Sequence, residues 1–142
     1  PQNPKTPCSI IKYKLKVLMV DSGFKTYNVL GEEFKIPSNY VIVDPLGSGA
    51  YGTVAAAKEI SVDEKGKNVE TLVAIKKINK VFEHKVYAQR TLRELKIMRL
   101  LEHENVLAAR SIFLPESVDK FTSLYVVMDI METDLAQIIK SN

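Results

Sequence analysis

One run restricts the possible fold more than any other: Gly47-Ser48-Gly49-Ala50-Tyr51-Gly52-Thr53-Val54. Its glycines let the backbone turn tightly and approach another group closely, because no Cβ stands in the way. Backbone N–H groups exposed in such a turn suit an anion, phosphate above all. The flanking residues then decide the context. Tyr40-Val41-Ile42-Val43 is rich in β-formers. Thr53 to Lys58 contains three alanines, which by propensity favour helix. A tight glycine loop between two strands makes a hairpin, so both flanks are read as strands. The polar stretch Asp63–Asn68 is a turn, and Leu72–Ile78 is an apolar strand carrying Lys76. Lys76 lies 24 residues after Gly52 and can bring a positive charge to the same anion.

Lys85 to Leu101 reads as the strongest helix. Leu92, Leu95, Met98 and Leu101 recur at three-residue steps and predict one packed face, with Val86 and Gln89 extending the row. Glu102–Asn105 ends it. Val106–Leu114 and Leu124–Met128 are two more strands around a loop at Pro115–Lys120. Asp134 with Gln137 three residues on resembles a capping box opening a last helix. Upstream, residues 1–9 hold three of the six prolines and read as a flexible lead-in. Ile11–Val17 alternates apolar and basic residues, the pattern of a half-exposed strand, although Leu18-Met19-Val20 blurs it towards helix. Tyr27–Leu30 and Phe34–Ile36 form a short hairpin around Gly31-Glu32-Glu33. The expected class is α+β: a mostly antiparallel sheet, one packed helix, and a hairpin in front.

Composition narrows the function classes. The 142 residues suit one domain, and their 46% hydrophobic content fits a globular chain. A net charge of +3 does not argue for a nucleic-acid binder, which shows a basic stripe with stacking aromatics. Cys8 is the single cysteine, so neither a disulfide framework nor a cysteine metal cluster is expected. No apolar run reaches the length of a membrane span, and Pro1–Pro7 lacks the form of a signal peptide. His84 and His103 read as turn or packing residues.

A lysine on a flexible stem needs a second partner to hold it. Glu94, mid-helix in Thr91-Leu92-Arg93-Glu94-Leu95-Lys96, can reach Lys76 if the helix packs over the sheet. The pair would then be a switch as well as a clamp, released when the helix turns outward. The rival reading of the glycines is a dinucleotide-binding unit, which opens a helix after them and places an acid about 20 residues on. Glu70 meets that spacing, but Val54 after the third glycine and Ala74-Ile75-Lys76 do not fit it.

With these motifs the chain resembles the N-terminal lobe of a mitogen-activated protein kinase over residues 40–142. Gly47–Val54, Val73-Ala74-Ile75-Lys76 and His103-Glu104-Asn105-Val106 are general kinase signals. Ala74-Ile75-Lys76-Lys77-Ile78, Gln89-Arg90-Thr91-Leu92-Arg93-Glu94 and Met131-Glu132-Thr133-Asp134-Leu135 are signals of that family. The resemblance implies a five-stranded antiparallel sheet with one long helix, which the family calls αC. It implies an N-terminal extension over 1–26, the hairpin over 27–39, and the lobe, hinge and start of the next helix over 40–142.

The resemblance also implies roles. Lys76 and Glu94 form the catalytic pair, and Gly47, Ser48, Gly49, Ala50, Tyr51 and Gly52 cover the phosphates of ATP. Leu46, Val54 and Ala74 contact adenine, Met128 is the gatekeeper, Asp129 and Met131 belong to the hinge, and Asp134 meets the ribose. Arg90 and Arg93 bind an activation-loop phosphothreonine, a task for the guanidinium fork. The implied cofactors are ATP and Mg, with no metal ligand in these residues. The implied partners are protein substrates, an upstream dual-specificity kinase and docking-motif proteins, with neither nucleic acid nor membrane. The implied location is the cytoplasm, with the nucleus as a second site.

No H-R-D, D-F-G or T-x-Y occurs in these residues. The expectation is one lobe of a longer chain, inactive by itself. A non-catalytic pseudokinase or scaffold lobe is the alternative, and the residues after Asn142 would separate the two. The basic segment Lys12–Met19 is similar to the docking peptides that partners present to such kinases, and could fill the kinase's own docking groove; the plainer reading is an added edge strand.

Overall fold

A computed structural model of the chain describes residues 16–18 and 23–141. The elements in order are β1 (Lys16–Leu18), β2 (Phe24–Val29), β3 (Glu32–Pro37), β4 (Tyr40–Gly49), β5 (Gly52–Val62), β6 (Asn68–Ile78), α1 (Lys85–Leu100), β7 (Ala109–Phe113), β8 (Leu124–Asp129) and α2 (Leu135–Lys140). The main sheet runs β1-β7-β8-β6-β5-β4, and β2 with β3 forms a separate ribbon.

The five expected antiparallel strands are β4 to β8. The alanine-rich segment after the glycines is indeed a strand, because its register with β6 overrides propensity (Ala55↔Ile75, Ala56↔Ala74, Ala57↔Val73). A sixth strand is added. β1 pairs in parallel with β7, Lys16 opposite Ser111 and Leu18 opposite Phe113. It occupies backbone groups that an edge strand otherwise leaves unpaired. The described part of the basic N-terminal segment is therefore an edge strand; the rest of that segment, the lead-in and Cys8 lie outside the described residues.

Alternation along the strands separates two cores. On one face Val73, Ile75, Tyr125, Val127, Phe113 and Tyr40 pack with Val29, Phe34 and Ile36 of the ribbon. Phe113 stacks on Tyr125 at 4.7 Å, and Phe34 meets Tyr125 edge-on at 5.6 Å. Aromatic pairs of this kind add about 0.5–1.5 kcal/mol beyond area burial. On the other face Ala74, Ile78, Val126, Met128 and Ala109 pack with Val54, Leu95 and Met98. The ribbon thus covers one side of the sheet and α1 part of the other.

Two local expectations are corrected. The ribbon turn is Leu30-Gly31, both at positive φ (52° and 85°), while Glu32 and Glu33 are in β3, paired with Val29 and Asn28. Of the three-residue row, Leu95 and Met98 pack on the sheet, but Leu92 is 55% exposed and Leu101, which lies past the end of α1 as its C-cap, is also exposed. The reason is geometric. Three residues fall short of a 3.6-residue turn, so such a row drifts by about 60° per step. Only its middle members face the sheet, where Thr91 joins them as the buried residue of the helix.

Candidate functional site

The glycine loop is the β4–β5 hairpin. Gly49 pairs with Gly52 across it, Gly47 with Val54, and Ala50-Tyr51 forms the tip, where Tyr51 is 67% exposed. The glycines differ in what requires them. Gly52 has φ +124°, and a Cβ there would overlap the backbone carbonyl oxygen of Lys77. Gly47 and Gly49 have open space where a Cβ would stand. Gly52 is therefore needed for strand packing, whereas the other two leave bare backbone facing outward. Ser48 and Thr53 hydroxyls meet at 2.8 Å and brace the arms of the loop.

β6 brings Lys76 beneath this loop. Val54 and Val126 are its cross-strand neighbours, so all three share a face. From there the Lys76 ammonium donates to Glu94 Oε1 of α1 at 2.6 Å. The side chains are 20% and 43% exposed. At that exposure the pair adds little to folding. Its effect is to aim the ammonium, since a lysine otherwise samples many rotamers. A cleft of about 600 Å³ opens beside the pair and is lined by Tyr51, Lys76, Arg90, Arg93, Glu94 and Met98, among others. Arg90 and Arg93 are exposed, and neither pairs with a carboxylate among the described residues. Three cations and the loop tip thus converge on one opening that holds a single carboxylate.

Further along the same face the site becomes apolar. Ala74 sits opposite both Ala56 and Met128, next to Val54 in one cluster. Leu46 lies in a bulge of β4 between Pro45 and Gly47 and is half-exposed. Asp129 ends β8 opposite Val73, and its carboxylate approaches Arg110 at 3.6 Å. Met131 and Asp134 lie past the sheet and are exposed. Asp134 caps α2, accepting from the Gln137 N–H at 2.7 Å. The capping box is only half closed, because Gln137 Oε1 accepts from the Thr133 hydroxyl instead.

The histidines have structural tasks: His103 Nδ1 accepts from the Asn105 N–H, and His84, just ahead of α1, meets Tyr87 of its first turn edge-on. Glu70 pairs with Lys58 on neighbouring strands, and Gly52 opens a strand, so the dinucleotide-binding reading fails. Sequence reasoning missed two contacts. Arg110 beside Asp129 is one. The other is a polar net on the opposite face, where Lys77 and Asn79 reach Glu32. The second lysine of Lys76-Lys77 was the available signal, since strand neighbours point to opposite faces.

A lysine clamped from a helix under a glycine hairpin, with an apolar shelf alongside, is the arrangement of a kinase N-terminal lobe. Residues 40–142 match the protein kinase domain, and the chain belongs to that family. Its similarity runs to mitogen-activated protein kinases. Mitogen-activated protein kinase 5 of Arabidopsis thaliana is 44% identical over 130 residues, 90% of this chain and 33% of that protein. Mitogen-activated protein kinase 4 of Oryza sativa subsp. japonica is 44% identical over 124 residues, 87% of this chain and 32% of that protein. The homolog NTF6 of Nicotiana tabacum is 38% identical over 133 residues, 92% of this chain and 34% of that protein. The chain spans about a third of the length of these relatives.

Proposed function

We propose that this chain is the ATP-gripping lobe of a mitogen-activated-type serine/threonine protein kinase. Joined to its C-terminal lobe, it would transfer the γ-phosphate of Mg-ATP to hydroxyls of protein substrates in a signalling cascade. The observation that carries this reading is the 2.6 Å Lys76–Glu94 pair beneath the glycine hairpin. ATP fits the donor set: bare backbone at Gly47 and Gly49, a held cation at Lys76, and an apolar shelf. Mg would neutralise developing charge when bound, and its ligands are expected beyond these residues.

Each side chain has a task in this reading. Gly47–Gly52 covers the phosphates with N–H groups. Lys76, aimed by Glu94, binds their oxygens. Leu46, Val54 and Ala74 take one face of adenine, with Met128 behind it. Backbone groups of Asp129 and Met131 bind its edge, and Asp134 meets the ribose. Arg90 and Arg93 take a phosphothreonine with two-pronged, charge-assisted hydrogen bonds. The ribbon of β2 and β3, which begins at Phe24 rather than at Tyr27, stands ahead of a lobe at 40–142 and is preceded by an extension. An upstream dual-specificity kinase and docking-motif proteins are the expected partners, in cytoplasm and nucleus. No H-R-D or D-F-G occurs in these residues, so by themselves they are expected not to transfer phosphate.

The test is Lys76→Met in the full-length protein, with phosphate transfer to a generic protein substrate as the readout. Loss of transfer with nucleotide-free folding intact is expected. Wild-type turnover would sink the assignment.

A further inference from the structure

Lys77 follows Lys76 in β6 and points the other way. It is only 14% exposed, unusual burial for a lysine side chain. Its ammonium donates to the Glu33 carbonyl at 2.7 Å, lies 3.7 Å from Glu32 Oε2, and stands 5.9 Å from the centre of the Phe34 ring. All three partners belong to β3. Asn79 adds to the same junction, donating to Glu32 Oε2 at 2.6 Å and accepting from the Ser123 hydroxyl.

The backbone of Lys77 meets the glycine loop. Thr53 is its register partner, and its carbonyl oxygen occupies the space that a side chain at Gly52 would need. One residue therefore touches three things: the ribbon through its side chain, Gly52 through its carbonyl, and Lys76 through the peptide bond. Glu32 and Glu33 also line the same cleft of about 680 Å³ as Gly49, Gly52 and Glu94.

We propose that Lys77 is a positioning residue: by tying the N-terminal ribbon to β6, it fixes the backbone that aims Lys76 and supports Gly52. This rests on the ATP-binding reading above. The physical argument is that strand side chains alternate, so rotation of the peptide at residue 77 moves the Cα–Cβ direction at 76 as well. A neutral side chain at 77 would lose a charge-assisted bond to a carbonyl and leave the strand free to twist. The ribbon then acts on the nucleotide site without touching nucleotide.

The experiment uses the full-length kinase with Lys77→Met, Lys77→Arg and Glu32→Ala, and reads KM for ATP, kcat, and hydrogen exchange at Gly52–Val54. Lys77→Met should raise KM for ATP about tenfold, the ratio matching one lost charge-assisted hydrogen bond. Exchange at Gly52–Val54 should rise in parallel. Lys77→Arg keeps the charge and should restore KM to within about threefold. Glu32→Ala, at a partner that is 32% exposed, should show the same shift at about threefold and serves if Lys77→Met does not fold. A KM for ATP unchanged in Glu32→Ala and in any folded Lys77→Met, with wild-type exchange at Gly52–Val54, would overturn the proposal. If wild-type protein itself neither binds ATP nor transfers phosphate, the ATP-binding reading fails instead.

Discussion

Replacing each glycine of the loop by alanine should separate packing from function. At Gly52 two costs combine. Its φ of +124° is a region that side chains with a Cβ avoid, and the new methyl would meet the Lys77 carbonyl, which is backbone and cannot swing away. The left-handed conformation costs about 1–2 kcal/mol and overpacking about 1–3 kcal/mol. The sum, about 2–5 kcal/mol, is a large share of the 5–15 kcal/mol of a typical domain. It should lower Tm by about 5–15 °C, followed by circular dichroism. At Gly47 and Gly49 a methyl meets nothing within 4 Å, and φ is not in the strained range. Those variants should keep Tm within about 2 °C, or gain slightly because alanine restricts the unfolded chain. Their loss should fall on nucleotide affinity, measured by calorimetry, where the methyl blocks close approach of phosphate. Equal Tm values for all three variants would refute the division of roles.

Further outcomes follow from the packing. Burial first, then the bond to Glu59, pushes the Tyr40 hydroxyl up to about 12; burial also pushes Tyr125 up to about 12. The folded values lie above the unfolded one, so this stability is complete below pH 10 and is lost as pH rises towards 12. The expected loss is about 2 kcal/mol per tyrosine, seen by denaturant melts alongside phenolate absorbance. A stability flat across that range would contradict the burial argument. On α1, Leu95→Ala should cost about 1–3 kcal/mol and Leu92→Ala under about 0.5 kcal/mol by the same melts. The reverse order would mean the helix faces the other way.

Much of the site is legible in the sequence because its chemistry is local. Gly47–Gly52 must turn, Val73–Lys76 must run as an apolar strand, and Glu94 falls on a helix that the sheet requires as cover. What escapes depends on how elements meet. The row Leu92–Leu101 predicts a stripe, yet which members pack is set by the drift of a three-residue step and by where the sheet lies. Nothing near Lys77 in sequence announces Glu32 or Glu33, which sit 44 or more positions away. Arg110 reaches Asp129 only because β7 and β8 are neighbours in the sheet. The turn at Leu30-Gly31 hides because leucine is not a residue that invites positive φ.

The central claim is that Lys76 and Glu94 act as one unit. A double-mutant cycle in the full-length kinase, with Lys76→Met, Glu94→Gln and the pair, measures this most directly through kcat/KM for ATP. Each single variant should cost about as much as the double, because either loss releases the ammonium from its aimed position. Effects that simply multiply would mean that the contact at 2.6 Å does not orient Lys76, and the account would be wrong at its centre.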